Sequence, residues 1–257
     1  MELIKNLAYK REVGFNVQKL IDCIEEGYES KRRKTGKFKK YSFSPSSIAY
    51  GSGRCARRWV MSFRGEWESV DNNSAASLAV MNQGQGAHQR IQDALKVSGV
   101  VLEEELEVKS DDPPIRGYVD NIVEIDGEKI VVEIKTTRSE SFEPKIYSMK
   151  AAYYHMYQLL IYMKILGIRN GAFIYENKND NSLLVIPVTL DDFNESVIDK
   201  ALAWMRNVWD TYNNGDLPTR PWKKTSQNCA QCPLFDACWN VAPDGNVDIK
   251  PMSVYKW

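Results

Sequence analysis

The chain has 257 residues, with 34 Lys and Arg against 34 Asp and Glu and 43% apolar side chains, enough for one large or two small globular domains. A charged fraction of 26% with 15 Gly and 10 Pro excludes a disordered or collagenous chain, no internal period marks a repeat, and no apolar run is long enough to span a bilayer. Zero formal charge argues at first against a nucleic-acid partner, but the charges are unevenly placed.

In chain order, Met1 to Ala8 is interrupted by Glu2, Lys5 and Asn6 and has no apolar core of secretory length, so the expected compartment is cytoplasmic and reducing, with no membrane. Residues 12–30 have the periodicity of an amphipathic helix. Between Lys31 and Gly65 stand eleven cations and no acid; subtracting those eleven leaves 23 cations against 34 acids elsewhere, a net of −11. Neutrality is therefore the sum of two opposed regions. Lys31, Arg32, Arg33, Lys34, Lys37, Lys39, Lys40, Arg57 and Arg58 are the candidate phosphate contacts, and the interleaved Phe38, Tyr41, Phe43 and Trp59 the candidate stacking platforms for unpaired bases. A lone basic run is more often a solvated loop.

Ser44-Pro45-Ser46-Ser47 reads as a helix start, and Ser74 to Lys96 as a long helix ending at Ser98-Gly99. Strands are expected at Val100–Val108, Arg116–Ile125 and Lys129–Thr136, a helix at Ser148–Leu166 stopping at Gly167, and a strand pair at Gly171–Glu176 and Leu183–Val188. A helix from Asp191 to Asn213 precedes a Cys-rich tail. The layout is α/β, a short curled mixed sheet flanked by helices. The divisions read are an N-terminal helix and basic arm at 1–43, a main body at 44–240 and a C-terminal tail at 241–257.

Asp126-Gly127 between two β-rich runs is the strongest hairpin signal. With these two residues as the loop, Ile125 faces Glu128 and Asp120 falls opposite Glu133. Ile122, Val131, Tyr118 and Lys135 share that face; Val119, Val123, Ile125, Ile130, Val132 and Ile134 form a core stripe on the other, broken by Asn121 and Glu128. Opposed carboxylates repel unless something offsets them, and a divalent cation would. Two carboxylates and Lys135 on one face suit metal-assisted phosphodiester hydrolysis.

Arg116-Gly117-Tyr118-Val119-Asp120 followed by Glu133-Ile134-Lys135 resembles the motifs of the PD-(D/E)XK nucleases in their RecB-like branch, in which an upstream Gly-x-x-x-His and a downstream Gln-x-x-x-Tyr complete the set. Here these are Gly84 to His88 and Gln158 to Tyr162. The resemblance implies a restriction-endonuclease-like core in which His88, Asp120, Glu133 and the Ile134 carbonyl ligate Mg²⁺ or Mn²⁺. It makes Lys135 the catalytic lysine and gives Gln158 and Tyr162 the task of orienting it and contacting DNA. Gly84 one turn before His88 is expected to let the helix approach the sheet closely, and His155 is read as structural.

Cys229, Cys232 and Cys238 make a C-x₂-C-x₅-C set, for which Cys23 and Cys55 are the candidate fourth thiolates. Cys55 is favoured because it follows the turn-forming Gly51-Ser52-Gly53, whereas Cys23 lies on the apolar periodicity of the first helix. Zinc and an iron-sulfur cluster both accept four thiolates, and spacing does not choose between them. RecB-like iron-sulfur nucleases, among them the CRISPR-associated adaptation exonucleases and the AddB nuclease domain, are similar in having one cysteine before the core and three after it. That likeness implies a structural [4Fe-4S] cluster on Cys55, Cys229, Cys232 and Cys238, in a subdomain formed by N- and C-terminal segments, with zinc as the alternative occupant.

The resemblance runs from about Ser44 to Trp239 and implies a DNA exonuclease on single-stranded ends, 5′ to 3′, in recombination, repair, replication or CRISPR adaptation, with DNA and a protein partner in such a complex as its associates. The alternatives are a structure-selective flap or duplex-end endonuclease, and a non-catalytic DNA-end binding or adaptor module.

Overall fold

The Asp126-Gly127 turn forms as the sequence predicts: both residues have positive φ (52° and 81°), the geometry of a type I′ turn, and the ladder runs from Ile125 opposite Glu128 to Asn121 opposite Val132. In this computed structural model, which describes residues 16–32, 34–71 and 73–257, that hairpin is the middle of a five-stranded mixed sheet. The elements in chain order are α1 (Val17–Glu29), β1 (Gly36–Lys37), α2 (Pro45–Ile48), a 3₁₀ turn (Gly51–Arg54), α3 (Ala56–Arg64), β2 (Glu68–Ser69), α4 (Ala75–Val97), β3 (Val101–Asp111), β4 (Pro114–Ile125) and β5 (Glu128–Thr137). They continue with α5 (Ser139–Ser148), α6 (Tyr153–Leu166), β6 (Asn170–Asn177), β7 (Leu183–Thr189), α7 (Asp192–Asn213), α8 (Gln227–Ala230) and a π-helical turn (Ala237–Val241).

The sheet order is β3-β4-β5-β6-β7, antiparallel except between β5 and β6, where α5 and α6 make the crossover. One face packs on α4: Ile91 meets Val123, Val132, Ile134 and Ile174. The other packs on α6, whose residues from Met156 to Met163 are all buried, as expected of a helix apolar all round. α6 is ended by Gly167 in the left-handed conformation, and α7 is capped by Asp191, whose carboxylate accepts the Asn194 N–H. This is a restriction-endonuclease-like α/β core.

Three expectations need correction. The helix expected at Ser148–Leu166 begins only at Tyr153, and it is preceded by a helix not expected from the sequence: α5, anchored by buried Phe142, which stops where Met149 turns left-handed (φ 52°). The core stripe is not continuous, because Val119 belongs to the cluster of Ile122 and Val131, and Ile125 is 43% exposed at the hairpin tip. Gly117 likewise faces Tyr162 on α6, the helix that meets Glu133, so strict alternation along β4 slips between Gly117 and Ile122. Finally, Phe43 and Trp59 are no stacking platforms: both are core residues, their rings 4.9 Å apart. Phe43 is fixed by its N–H to Pro114 O and by Arg116 N–H to its own carbonyl.

The flanking segments pack on this body. β1 pairs with β2, setting Lys37 opposite Glu68, and Lys40 N–H donates to Ser62 O. In the tail, Met252 is buried and exchanges hydrogen bonds with Arg54, while Trp257 Nε1 donates to Asn194 Oδ1.

Candidate functional site

β4 and β5 carry Asp120 and Glu133 just past the end of their ladder, which closes at Asn121 opposite Val132. Asp120 Oδ2 accepts the Ile134 N–H at 2.6 Å, and Oδ1 lies 3.3 Å from His88 Nδ1 on α4. Glu133 is fully buried; its Oε2 accepts from Lys135 Nζ at 2.6 Å and Gln158 Nε2 at 2.9 Å. Tyr162, one turn after Gln158 on α6, is buried beside Gln158 and the Tyr118 backbone. Gln92 on α4 donates to the Asp120 carbonyl at 3.0 Å.

Burial pushes the Glu133 carboxyl up to about 7, against the pull of Lys135. Burial also works against the Lys135 ammonium, but the Glu133 and Asp120 charges outweigh it and hold the lysine above its ordinary value. The hydrogen bond that His88 donates to Asp120 raises the histidine above its ordinary value, with burial opposing. His155 does not join this set. Its Nδ1 is 2.8 Å from the Tyr175 hydroxyl, and burial, with Lys135 and Lys145 nearby, pushes it down to about 3.

As the side chains stand, among the described residues no group of three or more His, Cys, Asp or Glu is close enough together to hold a metal ion. The reason is visible in the hydrogen bonds: Asp120 Oδ2 is turned to the Ile134 N–H, and Glu133 Oε2 to Lys135 and Gln158. The donor set nonetheless fits a hard cation. Glu133 Oε1 is buried with no hydrogen-bond partner, an atom whose desolvation is uncompensated by protein.

Gly117 was not singled out in the sequence. A Cβ there would lie 2.4 Å from the Tyr162 hydroxyl oxygen, so the glycine lets α6 close on the sheet beside Asp120. A glycine inside a strand pattern was the available signal. Gly84 is the opposite case: a Cβ there would meet only Thr136 Oγ1 at 3.7 Å, ordinary contact, so close approach does not require it.

Four cysteines share a second place without closing to metal-binding distance of one another. Cys55, Cys229, Cys232 and Cys238 all line one cavity, together with Arg57, Arg58, Arg220 and Trp239. Cys23 is exposed on α1 and stands apart from it. The turn carrying Cys55 depends on Gly53, where a Cβ would fall 1.6 Å from the Ser47 carbonyl oxygen. Burial pushes the Cys55 thiol up to about 12 and raises Cys232 and Cys229.

Arg57 corrects the reading of the basic run. It is 1% exposed: Nε donates to Cys238 Sγ at 3.2 Å, Nη1 to Pro218 O at 2.8 Å and Nη2 to Pro243 O at 2.5 Å. It presents no charge to a polyanion. Among the described residues no carboxylate pairs with it. A buried guanidinium facing only neutral groups is costly, whereas one facing thiolate sulfur is balanced.

Of the remaining cations, Arg32 pairs with Glu29 at 2.7 Å, Lys31 lies 6.0 Å from the Tyr28 ring centroid, and Lys34 and Lys37 are exposed. Arg33 lies outside the described residues. Lys39, Lys40 and Arg58 line a polar cavity of about 880 Å³ that also touches Phe38 and Gln231.

A family model of the PD-(D/E)XK nuclease superfamily matches residues 81–239. Among solved structures, an alkaline exonuclease, LHK-Exo, from Laribacter hongkongensis is similar at TM-score 0.51 and 14% identity, over 74% of this chain and 95% of that one. LHK-Exo in complex with dAMP gives TM-score 0.52 and 13% identity over 68% and 89%. SSO0001 is 17% identical over 88% and 97%, at TM-score 0.45. No curated protein matches the chain. At these identities the structural likeness speaks for the fold alone.

Proposed function

The chain belongs to the PD-(D/E)XK nuclease superfamily, and from that premise we propose that it is a divalent-metal-dependent DNA nuclease, an exonuclease on single-stranded ends, with a structural [4Fe-4S] cluster. The observation that carries the catalytic part is the buried Glu133 carboxylate, with one oxygen fixed by Lys135 and Gln158 and the other without a protein partner.

His88, Asp120, Glu133 and the Ile134 carbonyl are the residues that would hold Mg²⁺ or Mn²⁺, which when bound offsets charge on the attacked phosphate and makes water a better nucleophile. Lys135, kept charged by Glu133 and Asp120, offers its ammonium to a phosphate oxygen or to the attacking water. Gln158 fixes the Glu133 carboxylate that in turn holds the lysine, so the nucleophile side of the site is pre-positioned. The Ile134 N–H holds Asp120 from the neighbouring strand.

For the cluster, the convergence of four cysteines on one cavity and the Arg57 contact to Cys238 support a tetrathiolate group bound in a reducing, cytoplasmic setting. Its role is to tie the segment before the core to the segment after it. The setting proposed is DNA-end processing in recombination, repair, replication or CRISPR adaptation, with 5′ to 3′ the polarity implied by the resemblance.

The test is hydrolysis of single- and double-stranded DNA, labelled at either end, with Mg²⁺ or Mn²⁺. Wild type should cleave, while Lys135→Ala and Glu133→Ala should lose roughly 100-fold or more in rate while still binding. Wild type that binds DNA tightly but cleaves no substrate with either metal would overturn the reading. An anaerobic preparation should be brown and contain iron; a colourless protein with stoichiometric zinc would replace the cluster by zinc.

A further inference from the structure

We propose that Tyr50, Tyr153 and Tyr154 form a stacking platform for unpaired bases beside the Lys135 site, and that this platform selects single strands over duplex. The inference rests on the nuclease reading above and names the residues that recognise its substrate.

Tyr50 follows α2 and Tyr153 and Tyr154 open α6, more than a hundred residues later, yet their rings meet. The Tyr50 and Tyr154 centroids are 4.9 Å apart at 57°, and Tyr153 and Tyr154 are 5.3 Å apart at 86°. Tyr50 is 53% exposed, unlike the aromatics of the basic run that went into the core. Tyr50 and Tyr153 line a cavity of about 460 Å³ whose other walls include Arg54, Gln227, Asn228 and Gln231. No described acidic residue lines it. Lys256 Nζ lies 5.7 Å from the centroid of Tyr153.

The chemistry of this wall suits a nucleobase better than a phosphate. Every base has a π-face, so rings bind it whatever the sequence, and amides can meet its donor and acceptor edge. The volume falls within the range of small-molecule sites, about 300–1,000 Å³. A paired base has both faces covered by its neighbours in the stack and its edge taken by its partner, so only an unpaired base can use the wall. The platform also adjoins the chemistry. Gln158, which fixes Glu133, is one turn after Tyr154 on the same helix, so the two share a helix face. A strand laid on the tyrosines therefore lies at the N-terminal end of the helix that carries one side of the site.

The experiment is the affinity of a labelled oligothymidylate, and of a blunt-ended duplex without a loop, for wild type, Tyr50→Leu, Tyr153→Leu and Tyr50→Phe, measured with Ca²⁺ by fluorescence anisotropy. Each leucine variant should bind the single strand roughly five- to 150-fold more weakly, the effect of one lost base contact, with duplex affinity unchanged. Tyr50→Phe, which keeps the ring, should bind as wild type does. An abasic residue at the contacted position should weaken wild type by the same factor and leave Tyr50→Leu unaffected. Leucine variants that bind the single strand as tightly as wild type, or that lose single strand and duplex alike, would overturn the platform. Cleavage by wild type separates the two readings: platform failure with cleavage intact leaves the nuclease standing. A wild type inert on every substrate sinks the nuclease, while the oligonucleotide affinities still decide the platform.

Discussion

Gly117→Ala is the smallest change that should disable the proposed site from outside it. The new Cβ would sit 2.4 Å from the Tyr162 hydroxyl oxygen and 2.9 and 3.0 Å from Cε1 and Cζ, against an ordinary contact of about 3.5 Å or more. Separating them needs a shift of about 1 Å. The Tyr162 ring cannot retreat alone, since it is 2% exposed in a helix buried from Met156 to Met163, so α6 must move away from β4. Overpacking of this kind costs about 1–3 kcal/mol, which for a chain of this size lowers Tm by about 2–12 °C. Movement of α6 also carries Gln158 away from its 2.9 Å bond to Glu133, and a misplacement of about 1 Å can cost roughly 100-fold in rate. Thermal unfolding by circular dichroism and single-turnover DNA cleavage read the two effects separately. Adding Tyr162→Phe removes the shortest contact but not the ring carbons, so it should recover stability in part. A Gly117→Ala protein with wild-type Tm and rate would refute the steric argument.

Gly84→Ala should instead stabilise, by about 0.5–1 kcal/mol, because the position is mid-helix with room for a methyl group; a lowered urea midpoint would contradict this. Arg57→Met should cost about 2–6 kcal/mol by orphaning the Pro218 and Pro243 carbonyls, and should lower bound iron per chain; wild-type urea stability and metal content would refute it. His155 predicts an acid loss of stability. It faces Tyr175 on β6, Lys135 on β5, Lys145 on α5 and Tyr154 on its own helix, and is held neutral down to about 3 when folded. The unfolded chain protonates it near 6.5, so stability is full above that pH and falls by up to about 1.4 kcal/mol per unit below it, levelling near pH 3. His155→Gln should flatten this slope in urea titrations between pH 7 and 5; equal slopes would exclude His155 as the cause.

What the sequence determined by itself was whatever depends on neighbours in the chain. The Asp126-Gly127 turn set the register of β4 and β5 because its two residues accept positive φ, and the Gly167 and Asp191 caps marked helix ends for similarly local reasons. The spacing of Cys229, Cys232 and Cys238 was legible for the same reason. Tertiary structure alone decided which side of the protein surface each side chain of the basic segment would face. Arg57, Phe43 and Trp59 look like Arg58, Phe38 and Tyr41 in sequence, yet the first three are buried: Arg57 against Pro218 and Pro243 from the far end of the chain, Phe43 against Pro114 and Arg116 of β4, and Trp59 against Phe43. Charge and aromaticity are properties of a residue, but burial is a property of what packs against it. The meeting of Gly117 with Tyr162 follows from α6 closing on the sheet, and that of Tyr50 with Tyr154 from α2 packing on α6, long-range contacts to which no local periodicity responds.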